Sequence, residues 1–190
     1  MRVAVLASGE GTTLQALIDA VHDRRLDAQV VVVISNNRES GALRRASAAG
    51  SSTVHLSSVT HPEPEALDAA ICRTLSEPET DVVVLAGYMK KIGPQTLGRF
   101  SGKIINTHPS LLPRHGGKGM YGRRVHDAVL ASGENETGVS VHLVDSEYDT
   151  GSVIAQVRIP ILPNTTAESL EREVQALERE FLCTTLQKIS

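Results

Sequence analysis

The chain has 190 residues, 41% hydrophobic and 22% charged, with a formal net charge of -3. That supplies one substantial α/β core and leaves too little chain for two ordinary domains, so one unit over 1–190 is expected, divided into halves near 1–100 and 101–190. Lys and Arg are interleaved with Asp and Glu, without the basic block that would follow a nucleic-acid backbone, so a nucleic-acid partner is not expected.

The N-terminus, "MRVAVLASGEG", carries one basic residue and an apolar run too short for a secretory signal or a membrane span, which predicts a cytoplasmic protein with no membrane partner. Its "RVAVLA" (2–7) opens a series of short β-branched runs continued by "QVVVVI" (29–34), "STVHL" (52–56), "DVVVLAG" (81–87) and "KIIN" (103–106). Helical patterns lie between them. Leu14, Leu17, Ile18 and Val21 recur at helical spacing, Ala42 to Ala49 mark a second helix, and Ala66 to Leu75 a third. After residue 106 the rhythm changes to a long loop, a helix at 123–132, and two runs, 137–145 and 152–160, that read as an antiparallel pair. A charged helix with Leu170, Val174, Leu177, Phe181 and Leu182 on its apolar stripe closes the chain. The fold class expected is α/β: an open, doubly wound, Rossmann-like and mostly parallel sheet flanked by helices, with an antiparallel pair in the C-terminal half. Cys72 and Cys183 stand far apart without metal or disulfide spacing, and no metal site is expected.

Three places carry chemistry. "ASGEGTT" (7–13) joins the first strand to the first helix, and reads either as a phosphate cradle at a helix N-terminus or as a plain turn with Thr12 or Thr13 as N-cap. Glu10 is an awkward neighbour for an anion. "LAGYMKKI" (85–92) ends the fourth strand, where Gly87 permits close backbone approach and Tyr88 and Met89 are either pocket wall or ordinary core. Asn106 and His108 end the fifth strand, and Pro109 stops it. Two residues apart on an extended segment, they project to one side, so that one can hold an oxyanion while the other handles a proton. His115 and His126 read as loop and helix-surface residues. Asp149, in the turn "EYDTG" (147–151), would raise the pKa of an adjacent imidazole and orient it, if the fold brings the two together.

"SGEGTTLQAL", "VVVLAGYMKKI", "INTHPSLLP", "GVSVHLVD" and "DTGSVIAQ", in this order, resemble the folate-dependent formyltransferases, most closely the branch that acts on glycinamide ribonucleotide. The resemblance covers nearly the whole chain, and N-x-H-P-S-L-L-P with a later D-x-G is its specific core. It implies that Asn106, His108 and Asp149 are catalytic, with a protonated His108 helping Asn106 to hold the oxyanion. It implies that Gly11, Thr12 and Thr13 hold the ribonucleotide phosphate, that Gly87 and Pro109 border this substrate, and that Glu178 holds the ribose hydroxyls. Tyr88, Met89, Lys90, Lys91 and Ile92, with Val144, Asp145 and the turn to Asp149, would line the folate pocket. The formyl donor implied is 10-formyltetrahydrofolate, as co-substrate, and the chain is expected to act as a monomer or homodimer.

Two departures stand out: "GGKGMYG" replaces the loop many members have after the prolines, and Pro64 falls where some members have an Arg on the folate tail, leaving Lys90 or Lys91 for that task. A methionyl-tRNA formyltransferase would bring a further C-terminal domain and a basic surface, a formyltetrahydrofolate hydrolase a further N-terminal domain. Neither pattern is expected here. A non-catalytic ligand sensor is the alternative of another class, and the intact Asn, His and Asp speak against it.

Overall fold

The apolar runs pair as the alternation predicts. In the computed structural model, which describes residues 1–189, the order is β1 (Arg2–Ala7), α1 (Thr12–His22), β2 (Gln29–Ser35), α2 (Gly41–Ala48), β3 (Ser52–His55), α3 (Pro64–Ser76), β4 (Val82–Leu85), α4 (Pro94–Arg99), β5 (Ile104–His108), α5 (Arg123–Ala131), β6 (Glu136–Leu143), β7 (Val153–Pro160) and α6 (Ala167–Ile189). One seven-stranded sheet results, in the order β3-β2-β1-β4-β5-β6-β7. Its first five strands are parallel, and β6 and β7 run antiparallel to their neighbours. The α/β, doubly wound expectation holds, including the antiparallel end.

Alternation along β1 explains how both faces are covered. Val3, Val5 and Ala7 pack with Leu14 and Leu17 of α1 and with Leu182 and Leu186 of α6, whereas Ala4 and Leu6 pack with Ile71 and Leu75 of α3. Each side chain of such a strand is removed from water, which is why these runs read as continuous apolar stretches. Val125 and Val129 of α5 join Leu170 and Val174 of α6 over Val139 of β6. Cys72 and Cys183 are free thiols. Among the described residues no helix is long and apolar enough to cross a membrane.

Strand order reverses beside β1, because the chain leaves β3 at one edge and re-enters at β4 on the far side of β1. The carboxyl ends of β1, β4 and β5 therefore meet at a topological switch point, the usual place for a ligand in such sheets.

Two local expectations need correction, and one element escaped the sequence pattern. The helix α1 starts after Gly11, whose φ of 72° is left-handed, and no side chain caps it, so neither Thr12 nor Thr13 is the N-cap. A Cβ at Gly11 would also lie 2.6 Å from Ala42 Cα, so glycine is required there on two counts. The short α4, between its caps Gly93 and Phe100, is hidden in sequence. Its N-terminus is capped from outside, by Asp68 of α3, whose carboxylate accepts from Gln95 N at 2.7 Å and Thr96 N at 3.1 Å. His126 is 1% exposed, not on the helix surface, and its Nδ1 has no partner among the described residues.

Burial holds His126 below the usual imidazole value against the pull of Glu171 and Asp127, and burial likewise lowers His108. An unfolded imidazole titrates near about 6.5, so below that pH the unfolded chain binds more protons and stability falls with acidification. The melting temperature is expected to drop between pH 7 and pH 5. In His126→Leu the drop should be shallower, as read by thermal unfolding at both pH values; parallel behaviour of the two proteins would assign the loss to other groups.

Candidate active site

Asn106 and His108 do project to one side of β5. Thr107 between them faces the opposite side, where its hydroxyl donates to Glu178 Oε1 at 2.5 Å. On the Asn106 side, β6 contributes His142 directly opposite, since Asn106 and His142 are register partners. The His142 Nδ1 lies 2.8 Å from the Leu143 carbonyl, an acceptor only, so it carries the proton. Its Nε2 then accepts from the Asn106 amide at 3.1 Å, which leaves the second amide N–H of Asn106 uncommitted. His142 was not among the expected site residues. The signal for it was the alternation of Ser140 and His142 with Val139 and Val141, two polar side chains on one face of an apolar strand.

The turn after β6 brings Asp149 to both imidazoles. Its Oδ2 is 3.5 Å from His108 Nδ1 and its Oδ1 is 3.5 Å from His142 Nε2, with side chains 4%, 2% and 11% exposed for His108, His142 and Asp149. Gly117 N–H donates to Asp149 Oδ2 at 2.9 Å, and Asp149 itself has a left-handed φ of 58°. A Cβ at Gly116 would lie 2.5 Å from Leu112 Cδ2 and 3.2 Å from Asp149 Cβ, so the loop approaches this closely only because it carries glycine. Opposite, His108 Nε2 donates to the His115 carbonyl at 2.8 Å, which assigns the proton to Nε2 and leaves Nδ1 facing Asp149.

Charge at the site follows from these contacts. Burial pushes Asp149 up, but His142, His108 and the Gly117 N–H together outweigh it and hold the carboxyl below its usual range. For His108 the balance is reversed: burial lowers it by more than Asp149 and the His115 carbonyl raise it. Burial thus works against the expectation that Asp149 keeps His108 charged.

The second expected set lies along the switch point. Ser8 ties it together, accepting from Met89 N at 2.8 Å and donating to Asn36 Oδ1 at 2.6 Å, while Ser8 N donates to the Gly87 carbonyl. Tyr88, Lys90, Lys91 and Ile92 line a cleft of about 1240 Å³ together with Ser146, Glu147 and Pro64; Met89 is exposed and is not part of that wall. Burial pushes the Tyr88 hydroxyl up to about 12, so it stays a neutral donor. Lys91 pairs with Glu147 at 3.3 Å. Asp145 accepts from Glu147 N and Thr150 Oγ1, so its carboxylate holds the 145–150 turn, and Asp145 is not among the residues lining that cleft. Val144 packs half-buried beneath.

At the glycine turn, Gly11, Thr12 and Thr13 present an α1 N-terminus without a side-chain cap. Glu10, the awkward neighbour, points toward Arg44 of α2, with its Oε2 3.8 Å from the guanidinium. Pro109 is half-buried directly after His108. Burial raises the Glu178 carboxyl, with Thr107 and Arg179 pulling it partly back. No group of three or more His, Cys, Asp or Glu is placed to hold a metal among the described residues.

A doubly wound sheet with an amide, two imidazoles and a carboxylate gathered at its switch edge, beside a cleft, is the arrangement of an enzyme site whose groups can hold an anion and move a proton. Comparison with known proteins narrows the class. The formyl transferase family profile matches residues 1–186. The chain is 38% identical over 180 residues to the phosphoribosylglycinamide formyltransferase of Haemophilus influenzae, covering 95% of this chain and 82% of that protein. It is 39% identical to part of the trifunctional purine biosynthetic protein adenosine-3 of Drosophila melanogaster, covering 93% of this chain but 13% of that much longer protein. The crystal structure of glycinamide ribonucleotide transformylase 1 from Geobacillus kaustophilus superposes with a TM-score of 0.91 at 38% identity, over 99% of this chain and 97% of the other. The chain belongs to the formyl transferase family, among the phosphoribosylglycinamide formyltransferases of purine biosynthesis.

Proposed function

We propose that the chain transfers the formyl group of 10-formyltetrahydrofolate to the amine of glycinamide ribonucleotide, releasing formylglycinamide ribonucleotide and tetrahydrofolate. The observation that carries this is the opposition of Asn106 to His142 and of His108 to Asp149 on one face of the sheet. The amine nitrogen attacks the formyl carbon, the carbonyl electron pair moves to oxygen, and the free N–H of Asn106 receives the oxyanion, a contribution of about 3–4 kcal/mol for one donor. Neutral His108 takes the proton from the attacking nitrogen at Nδ1, and the imidazolium so formed is held by Asp149. As the intermediate collapses, the same proton passes to the leaving folate nitrogen while its bond to the formyl carbon breaks.

In this reading the α1 N-terminus at Gly11, Thr12 and Thr13 takes the substrate phosphate, Gly87 and Pro109 flank the ribonucleotide, and Glu178, oriented by Thr107, takes the ribose hydroxyls. The donor lies along Tyr88 to Ile92 and the turn from Val144 to Asp149. Lys90, which has no carboxylate partner among the described residues, supplies charge for the folate tail where Pro64 supplies none.

Absorbance measurement of tetrahydrofolate release, with and without glycinamide ribonucleotide, tests the assignment. Release is expected only with the ribonucleotide, accompanied by a formylated product of the right mass. Release without it would make the protein a hydrolase, and none in either case would leave a binding protein. A pH profile tests the mechanism. The Asp149 carboxyl is held below its usual range and burial lowers His108, whereas the substrate amine titrates near about 8. Hence kcat/KM for the ribonucleotide should rise steadily over that range; a fall above pH 6 would mean that a protonated His108 is required at the start.

A further inference from the structure

Glu134 lies in the short turn between α5 and β6, outside the residues given a role above, yet it grips the loop that reaches the site. Its Oε1 accepts from His115 Nε2 at 2.8 Å and its Oε2 from Arg114 Nη1 at 2.9 Å. Those contacts hold the carboxyl below its usual range, the His115 hydrogen bond being the largest influence. The two anchored residues are consecutive, and Ser110 Oγ fixes the first of them again by donating to the Arg114 carbonyl at 2.7 Å.

The consequence appears on the backbone. His115 has a φ of 55°, a left-handed conformation that a branched or bulky residue rarely takes and that needs support from its surroundings. In that conformation the His115 carbonyl accepts from His108 Nε2 at 2.8 Å. Two residues further on, Gly117 N–H donates to Asp149 Oδ2 at 2.9 Å. One short segment thus delivers an acceptor to the imidazole and a donor to the carboxylate, and Glu134 grips it from behind.

We propose that Glu134, through His115 and Arg114, is a positioning residue that fixes His108 as the Nε2–H tautomer and turns its Nδ1 toward Asp149. The bland alternative is a half-exposed ion pair that only steadies the surface, as most such pairs do. The two differ in what they do to His108. If Glu134 is released, His115 can relax to an ordinary φ, its carbonyl turns away, and the proton on His108 is free to move to Nδ1, where Asp149 accepts it. The nitrogen that receives the substrate proton would then be blocked. That last step rests on the function proposed above; the tautomer does not.

The experiment uses the full chain with 15N-labelled histidine and records the ring nitrogen shifts of His108 at pH 8, without ligand, in wild type and in Glu134→Ala. Wild type should show the proton on Nε2, and the variant a mixture of both tautomers. In the release assay, kcat of Glu134→Ala should fall about 10- to 100-fold with both KM values changed less than about twofold, the size expected when a group is misplaced by up to an ångström. Glu134→Gln, whose amide oxygen still accepts from His115, should recover most of kcat and the wild-type tautomer. Arg114→Ala removes one anchor at a half-exposed position and should give a smaller shift the same way. An unchanged Nε2–H tautomer in both alanine variants, or a wild-type kcat in Glu134→Ala, overturns the proposal. If ribonucleotide-dependent release is absent even from wild type, the proposed function fails, while the tautomer comparison still decides this one.

Discussion

Replacing Asp149 by asparagine is expected to lower kcat by about 100-fold or more while leaving the protein folded and both substrates bound with KM values within a few-fold of wild type. The substitution is clean because of where Asp149 sits. Its φ of 58° is one that asparagine tolerates as well as aspartate, so the turn keeps its shape. The amide oxygen can still accept from Gly117 N–H, and what disappears is the negative charge between His108 Nδ1 and His142 Nε2. Burial already lowers the affinity of His108 for a proton, and Asp149 is the main group opposing that loss. In the proposed mechanism, without the charge, taking a proton from the attacking amine then costs more at the moment it is needed. The sign of the stability effect follows from the same contacts. The folded carboxyl is held below its unfolded value, so its ionisation contributes stability above the unfolded pKa, near about 3.9, that is lost as pH falls through the folded value. The variant should lack that part of the acid transition. Turnover near wild type would remove Asp149 from the catalytic set.

The strands were legible because burial on both faces leaves little freedom of residue type: β1 and β2 show it in "RVAVLA" and "QVVVVI". The site strand was legible because Asn106, His108 and Pro109 break that rule at its end. What escaped reading depends on partners distant in sequence. The helix α4 is too short to show a period and takes its cap from Asp68, 27 residues before Gln95. His126 follows Val125 on α5, and only the packing of α6 against that helix decides that it is buried. His142 needed the register of β6 against β5, and the protonation of His108 needed the competition between burial and Asp149, neither of which spacing contains. His115 looked like a loop residue and is one, but its backbone carbonyl, which no side-chain pattern reports, holds the central imidazole.

Asn106→Ala is expected to cost about 100- to 1000-fold in kcat, the range seen when a single preorganised oxyanion donor is removed from a site of this type. Asn106 is preorganised by His142: one amide N–H is given to its Nε2 at 3.1 Å, so the amide plane is set before substrate arrives. In the proposed reaction nothing then has to reorient as charge develops on the formyl oxygen, which is what makes such a donor effective in a half-buried site. Because this hydrogen bond strengthens only as the carbonyl becomes an alkoxide, its loss should appear in kcat and kcat/KM alike, with KM for the formyl donor little changed. The same logic ranks a second substitution. In His142→Phe, Asn106 keeps its N–H groups but loses the partner that aims them, so kcat should fall by less than in Asn106→Ala, and in the double variant the His142 change should add little. Full additivity of the two losses would mean that His142 acts through Asp149 instead, as its 3.5 Å contact with that carboxylate permits.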